Sequence, residues 1–71
     1  MKGYGVMHSG TVGGFPSWVG TTIKEAKKYL LAASKEHSTV HLYKYSTKLN
    51  AWNHVETFKS EEDIRDYKAR G

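Results

Sequence analysis

The 71-residue chain contains no cysteine, so disulfides and thiolate zinc sites are excluded. No stretch approaches the roughly 20 apolar residues of a membrane span. The opening Met1-Lys2-Gly3-Tyr4-Gly5 has no apolar run of signal-peptide length. A soluble, cytoplasmic protein that does not enter a membrane is the expectation. Recognisable catalytic patterns are missing as well: there is no nucleophile elbow, P-loop, HExxH pair or GxGxxG with a following acidic residue. Gly10-Thr11-Val12-Gly13-Gly14 is glycine-rich, but no Lys-Ser/Thr follows it, and it reads as a hairpin tip. The chain is therefore expected to be no enzyme and to carry no cofactor and no metal.

Length sets the next bound. Seventy-one residues form one domain, and a chain of this size buries only about 60% of the surface its unfolded form exposes. With no cross-links to add stability, packing or association with a second copy has to supply it. Eleven basic residues against seven acidic ones give a net charge of +4. That balance suits an acidic partner, nucleic acid included, and is also ordinary for a soluble surface. The less ordinary figure is the aromatic content: two Trp, five Tyr and two Phe. So small a core cannot hide nine aromatic side chains, and several are expected at the surface.

Local patterns predict an α+β domain spanning 1–71, with a three- or four-stranded antiparallel sheet and two helices in the order ββαββα. Thr22 and Glu25 make a capping box for a helix over about 23–36. Ile23, Ala26, Leu30 and Ala33 recur along it at helical spacing. Thr39–Tyr45 and Ala51–Phe58 alternate and are rich in β-branched and aromatic residues, so they read as a hairpin joined by the polar Ser46–Asn50. Ser60 and Asp63 cap a second helix over about 61–69, with Glu61, Glu62 and Asp63 at the positive end of its dipole and Ile64 and Tyr67 facing inward. Tyr4–Val12 alternates weakly, Gly13-Gly14 reads as a turn, and Phe15–Val19 as a short strand broken by Pro16, the one proline. Thr22, Glu25, Ala26 and Tyr29 match Ser60, Asp63, Ile64 and Tyr67 at a constant offset of 38 residues. The match marks either an internal ββα duplication or two helices that begin in the same ordinary way.

Two surfaces stand out. If Val40, Leu42 and Val55 point to the core, alternation turns His41, Tyr43, Tyr45, Trp52 and His54 to the other side of the hairpin. In that register Tyr45 faces Trp52, Tyr43 faces His54 and His41 faces Glu56. A two-histidine, one-carboxylate metal site can be drawn from His41, His54 and Glu56. Histidine is, however, common on half-exposed sheet faces. The panel is either a second core layer under a helix or an open surface of interface anchors or base-stacking rings. The second surface is a stripe of Lys24, Lys27, Lys28 and Lys35 on the outer side of the first helix, with Leu31 among them and expected to be exposed. A stripe of this kind keeps a surface helix soluble, or it contacts phosphates or an acidic protein.

The order of a capped helix with Glu-Ala and an aromatic hairpin ending in Trp (Thr22-Ile23-Lys24-Glu25-Ala26, Val40-His41-Leu42-Tyr43, Trp52) resembles small phage-encoded accessory proteins. Among these are anti-CRISPR proteins and inhibitors of host polymerase. The resemblance covers residues 15–58 and is one of layout. It implies a compact α+β binder that blocks a host machine, in the host cytoplasm, by occupying a surface. Such proteins are often acidic DNA mimics. This basic chain departs from that, which points to an acidic protein surface or nucleic acid, and no functional residue carries over. Docking on a protein partner through the aromatic panel, as an inhibitor or modulator, is the expected function. The alternative is a small nucleic-acid-binding protein with lysines on phosphates and Tyr/Trp rings on bases.

Overall fold

The computed structural model describes residues 2–8 and 15–68. Six elements follow one another: β1 (Tyr4–His8), β2 (Ser17–Gly20), α1 (Ile23–Ser34), β3 (Val40–Ser46), β4 (Ala51–Phe58) and α2 (Glu61–Asp66). The strands form one antiparallel sheet in the order β2-β1-β3-β4. The expected α+β class and ββαββα order are what the chain adopts, with four strands. Ser9–Val12 and the Gly13-Gly14 turn lie outside the described residues.

Both helices start where their caps place them. Thr22 Oγ1 accepts the Glu25 amide at 3.2 Å and donates to Glu25 Oε1 at 3.1 Å. Ser60 Oγ accepts the Asp63 amide at 3.2 Å. Each contact satisfies an amide that has no carbonyl partner in a first turn. Gly20 leads into the first cap with φ +140°, and a Cβ there would fall 2.6 Å from Glu25 Oε2. Only glycine allows that entry.

Both helices end earlier than the sequence suggests. In α1 the Ser34 hydroxyl donates to Leu31 O at 2.8 Å, and the amides of Glu36 and His37 both turn back to Ala33 O. The Glu36 bond is the tighter i→i−3 kind that closes a last turn, while the His37 bond keeps the helical i→i−4 spacing. α2 closes at Asp66 because Tyr67 turns extended and lays its ring edge-on against Phe58, 5.4 Å between centroids. Ala69 and Arg70 lie outside the described residues.

Val6, Val19, Ala26, Leu30, Val40, Leu42, Phe58 and Ile64 make the core. It draws on all four strands and both helices, so α1 and α2 cover the same face of the sheet. The Ala26/Leu30 stripe is fully buried, with Ile23 and Ala33 packed beside it. Leu31 corrects the expectation of exposure. It is half-buried against the core, because α2 packs alongside α1 and widens the buried side of that helix.

Val55 is the second correction. β3 and β4 pair as expected at Tyr45–Trp52 and Tyr43–His54, but the register then shifts, and Leu42 faces Glu56 while His41 faces Thr57. Val55 is the extra residue of a β-bulge, and it is 37% exposed rather than in the core. A bulge inverts inside and outside along the rest of its strand. Glu56 therefore turns to the helix side, and Phe58, paired with Val40, enters the core.

A bulge also interrupts β2. Gly5 faces Trp18 and Tyr4 faces Gly20, which leaves Val19 as the extra residue. The shift falls between Tyr4 and Gly5 in β1 and between Leu42 and Tyr43 in β3, and these positions are 38 residues apart. The two ββα units thus share strand order, helix caps and bulge position. They differ at Tyr29, which is exposed, and at its counterpart Tyr67, which is half-buried.

Two comparisons test the packing. Phe58→Ala is expected to cost about 3–5 kcal/mol, against roughly 0.5 kcal/mol or less for the surface change Val55→Ala. Chemical denaturation of both variants reads the difference, and the reverse order would mean an unbulged β4. Leu30→Ala is expected to cost about 2–5 kcal/mol and the half-buried Leu31→Ala roughly 1 kcal/mol. Equal losses in thermal melts would contradict this placement of α1.

Candidate functional site: the open aromatic face

Because both helices cover one side of the sheet, the residues alternating with the core face away from them. On β3 these are His41, Tyr43 and Tyr45, and on β4 Trp52, His54 and, beyond the bulge, Thr57. All five residues expected on the panel are therefore on one face, and no helix among the described residues covers it. Tyr43, Tyr45, Trp52 and His41 are half-buried and His54 is exposed.

Neighbouring rings meet at steep angles. Tyr45 and Trp52 are 5.2 Å apart at 81°, and Tyr43 and His54 5.3 Å apart at 77°. Edge-to-face contacts of this kind favour a fixed arrangement. The Tyr45 hydroxyl donates to Asn50 Oδ1, on the turn where Asn50 takes φ 52°, a conformation that asparagine tolerates better than most residues.

The two panel histidines converge on Thr57. Its Oγ1 lies 2.9 Å from His41 Nδ1 and 2.8 Å from His54 Nε2, and the rings are 5.9 Å apart. One hydroxyl can donate to one ring and accept from the other, so a threonine holds both imidazoles. Glu56, drawn in the sequence as a third ligand beside them, lies on the helix side with Leu42. Among the described residues no group of three or more His, Asp or Glu side chains is arranged to hold a metal ion.

The face continues beyond the hairpin onto β1 and β2, which the sequence did not reveal. Gly5 pairs with both Tyr43 and Trp18, and Met7 pairs with His41. A Cβ on Gly5 would lie 2.9 Å from Trp52 Cη2 and Cζ3 and 2.7 Å from Pro16 Cβ. The missing side chain is what lets the indole and the proline close over the backbone of β1. Trp18 is 52% exposed, with its Nε1 donating to Lys2 O at 3.0 Å. Phe15, next to Pro16, is 84% exposed. A groove of about 560 Å³ runs among Met7, Pro16, Tyr43, Tyr45 and Trp52, with Phe15 at its side.

Among the described strand residues that share this face there is no Lys, Arg, Asp or Glu. The Val55 bulge contributes directly, since unbroken alternation would have set Glu56 beside His41. Of the lysine stripe, Lys24 and Lys28 are exposed on α1 and Lys35 at its C-cap, across the sheet from the panel. Lys27 is half-buried and donates to Arg65 O at 3.3 Å, where it closes the C-terminal end of α2. The lysine stripe of the first helix and the aromatic rings thus belong to opposite sides of the sheet.

Comparison with protein families, with curated proteins and with solved structures finds no match to this chain. No helix among the described residues is long and apolar enough to cross a membrane.

Gly5→Ala tests how the face is built. The added methyl has to displace Trp52 or Pro16, and crowding of this kind costs about 1–3 kcal/mol. A lower melting temperature with altered tryptophan emission is expected. An unchanged spectrum and melt would mean that the indole does not lie over Gly5.

Proposed function

We propose that this chain is a non-enzymatic binding protein that docks on a protein partner through its open aromatic face and thereby modulates or inhibits that partner. The observation that carries the reading is the make-up of the face: Tyr, Trp, Met, Phe and His, with no Lys, Arg, Asp or Glu among the described strand residues that share it. Interface centres are enriched in these residue types and depleted of Lys, Glu and Asp. Truncating such anchors is what costs most in alanine scans. The layout likeness to small phage-encoded inhibitors suits the same mode of action.

The separation of the α1 lysines from the rings favours a protein partner over nucleic acid. Stacking platforms for single strands set their aromatics within a positively charged groove. Here the exposed α1 lysines lie across the sheet from the rings, so one bound strand cannot engage both. Attraction of nucleic acid to the lysines alone is electrostatic and falls steeply with salt.

Titration against single-stranded and duplex oligonucleotides at about 150 mM salt, near physiological ionic strength, tests the choice. Weak binding, insensitive to Trp52→Ala, is expected. A protein partner should instead be held at that salt and lose about 2 kcal/mol or more on Trp52→Ala. Sub-micromolar oligonucleotide binding that Trp52→Ala abolishes would replace this reading with the nucleic-acid one.

A further inference from the structure

The protein-docking reading, on which the following rests, leaves the chemistry of the docked segment open. We propose that the aromatic groove receives a proline-rich segment of the partner in the polyproline II conformation. Three observations point to that occupant. The first is that the chain already seats a proline there. Pro16 and the benzo edge of Trp52 both close on the same point above Gly5, and both line the groove with Tyr43 and Tyr45. The surface thus accommodates a pyrrolidine ring beside an indole.

The second is the shape and charge of the groove. Tyr45 and Trp52 stand nearly perpendicular, 5.2 Å apart, and Tyr43, two residues before Tyr45 on β3, continues the wall. Among the described residues no Lys, Arg, Asp or Glu lines the groove. A neutral ring-walled trough matches the flat, apolar edge of a polyproline helix, which aromatic-lined grooves bind without first having to order it. A charged segment would lose solvation here with no counter-charge to replace it.

The third is the supply of donors. Backbone carbonyls of a polyproline helix have no internal hydrogen bonds. Trp18 spends its indole N–H on Lys2 O. Trp52 Nε1 and the Tyr43 hydroxyl have no hydrogen-bond partner among the described residues. Donors standing beside an apolar groove suit a ligand that presents apolar rings and bare carbonyls in alternation.

A test needs only the full-length chain and short peptides. Polyproline II advances about 3.1 Å per residue, so about ten residues span the 30 Å breadth of the molecule. A ten-residue proline-rich peptide and a peptide of equal length with alanine at every proline are titrated against isotope-labelled protein. Saturable shifts centred on Tyr43, Tyr45 and Trp52 are expected, with affinity for the alanine peptide lower by about tenfold or more. Trp52→Ala should abolish the proline-peptide response. Tyr43→Ala gives a second variant should the first lose its fold, and the shift map on the unmodified protein needs neither.

Equal response to both peptides, no response, or shifts confined to the helix side would overturn the proposal. If the proline peptide fails while a purified protein partner still binds in a Trp52-dependent way, the docking reading survives without this ligand. A single-stranded oligonucleotide that saturates the same residues in its place would overturn both.

Discussion

The rest of the structure follows from a shortage of covering elements. A four-stranded sheet has two faces, and this chain supplies two helices, each with an apolar stripe to bury against some other layer. Ala26, Leu30 and Ile64 find that layer on the same side of the sheet, with Val6, Val40, Leu42 and Phe58 beneath them. Dividing the helices between the faces would halve an already small core, and a domain of this size has little stability to give up. Concentrating them leaves one face to solvent. What the chain places on that face is rings: side chains large enough to pack laterally on one another, as Tyr45 does on Trp52 and Tyr43 on His54.

Both edge strands carry a bulge, and the one in β4 separates charge from aromatics. Up to His54 the strand alternates as its sequence reads. At Val55 it gains a residue, after which Glu56 joins the helix side and Phe58 the core. The carboxylate is thereby removed from the neighbourhood of His41, and Thr57 takes its place between the two imidazoles. Bulges are common on edges and next to sites, and this one also discourages unplanned pairing along an exposed strand. The same device at Val19 in β2, at the corresponding step of the other ββα unit, makes the two halves alike beyond their shared helix caps.

This explains which parts of the molecule were legible in the sequence. Caps are local chemistry, and Thr22 and Ser60 fix the helix starts from four-residue patterns. The Tyr43, Tyr45, Trp52 and His54 panel came out of strict alternation on either side of a recognisable turn. Val55 and Glu56 were misplaced because alternation has no signal for an inserted residue: Val55 is as apolar as a core residue, and only its pairing shows otherwise. Leu31 was misplaced because its burial depends on α2, which is remote in sequence. The extension of the face to Met7, Pro16 and Trp18 depends on β1 and β2 lying beside β3. Gly5 was the one available clue, as a strand glycine often marks close approach by another group.

Docking through the aromatic face requires that face to be open in the isolated protein, with the α1 lysines on the far side. Paramagnetic relaxation from a soluble, uncharged probe measures this directly on side-chain protons in dilute solution. Strong relaxation at the rings of Trp52, Tyr43, Tyr45 and Trp18 is predicted, with Leu30, Leu42 and Ile64 protected. Protection of Trp52 and Tyr43 equal to that of Leu42, at a concentration where the chain is monomeric, would contradict it: the face would then be covered from within, as a second core layer.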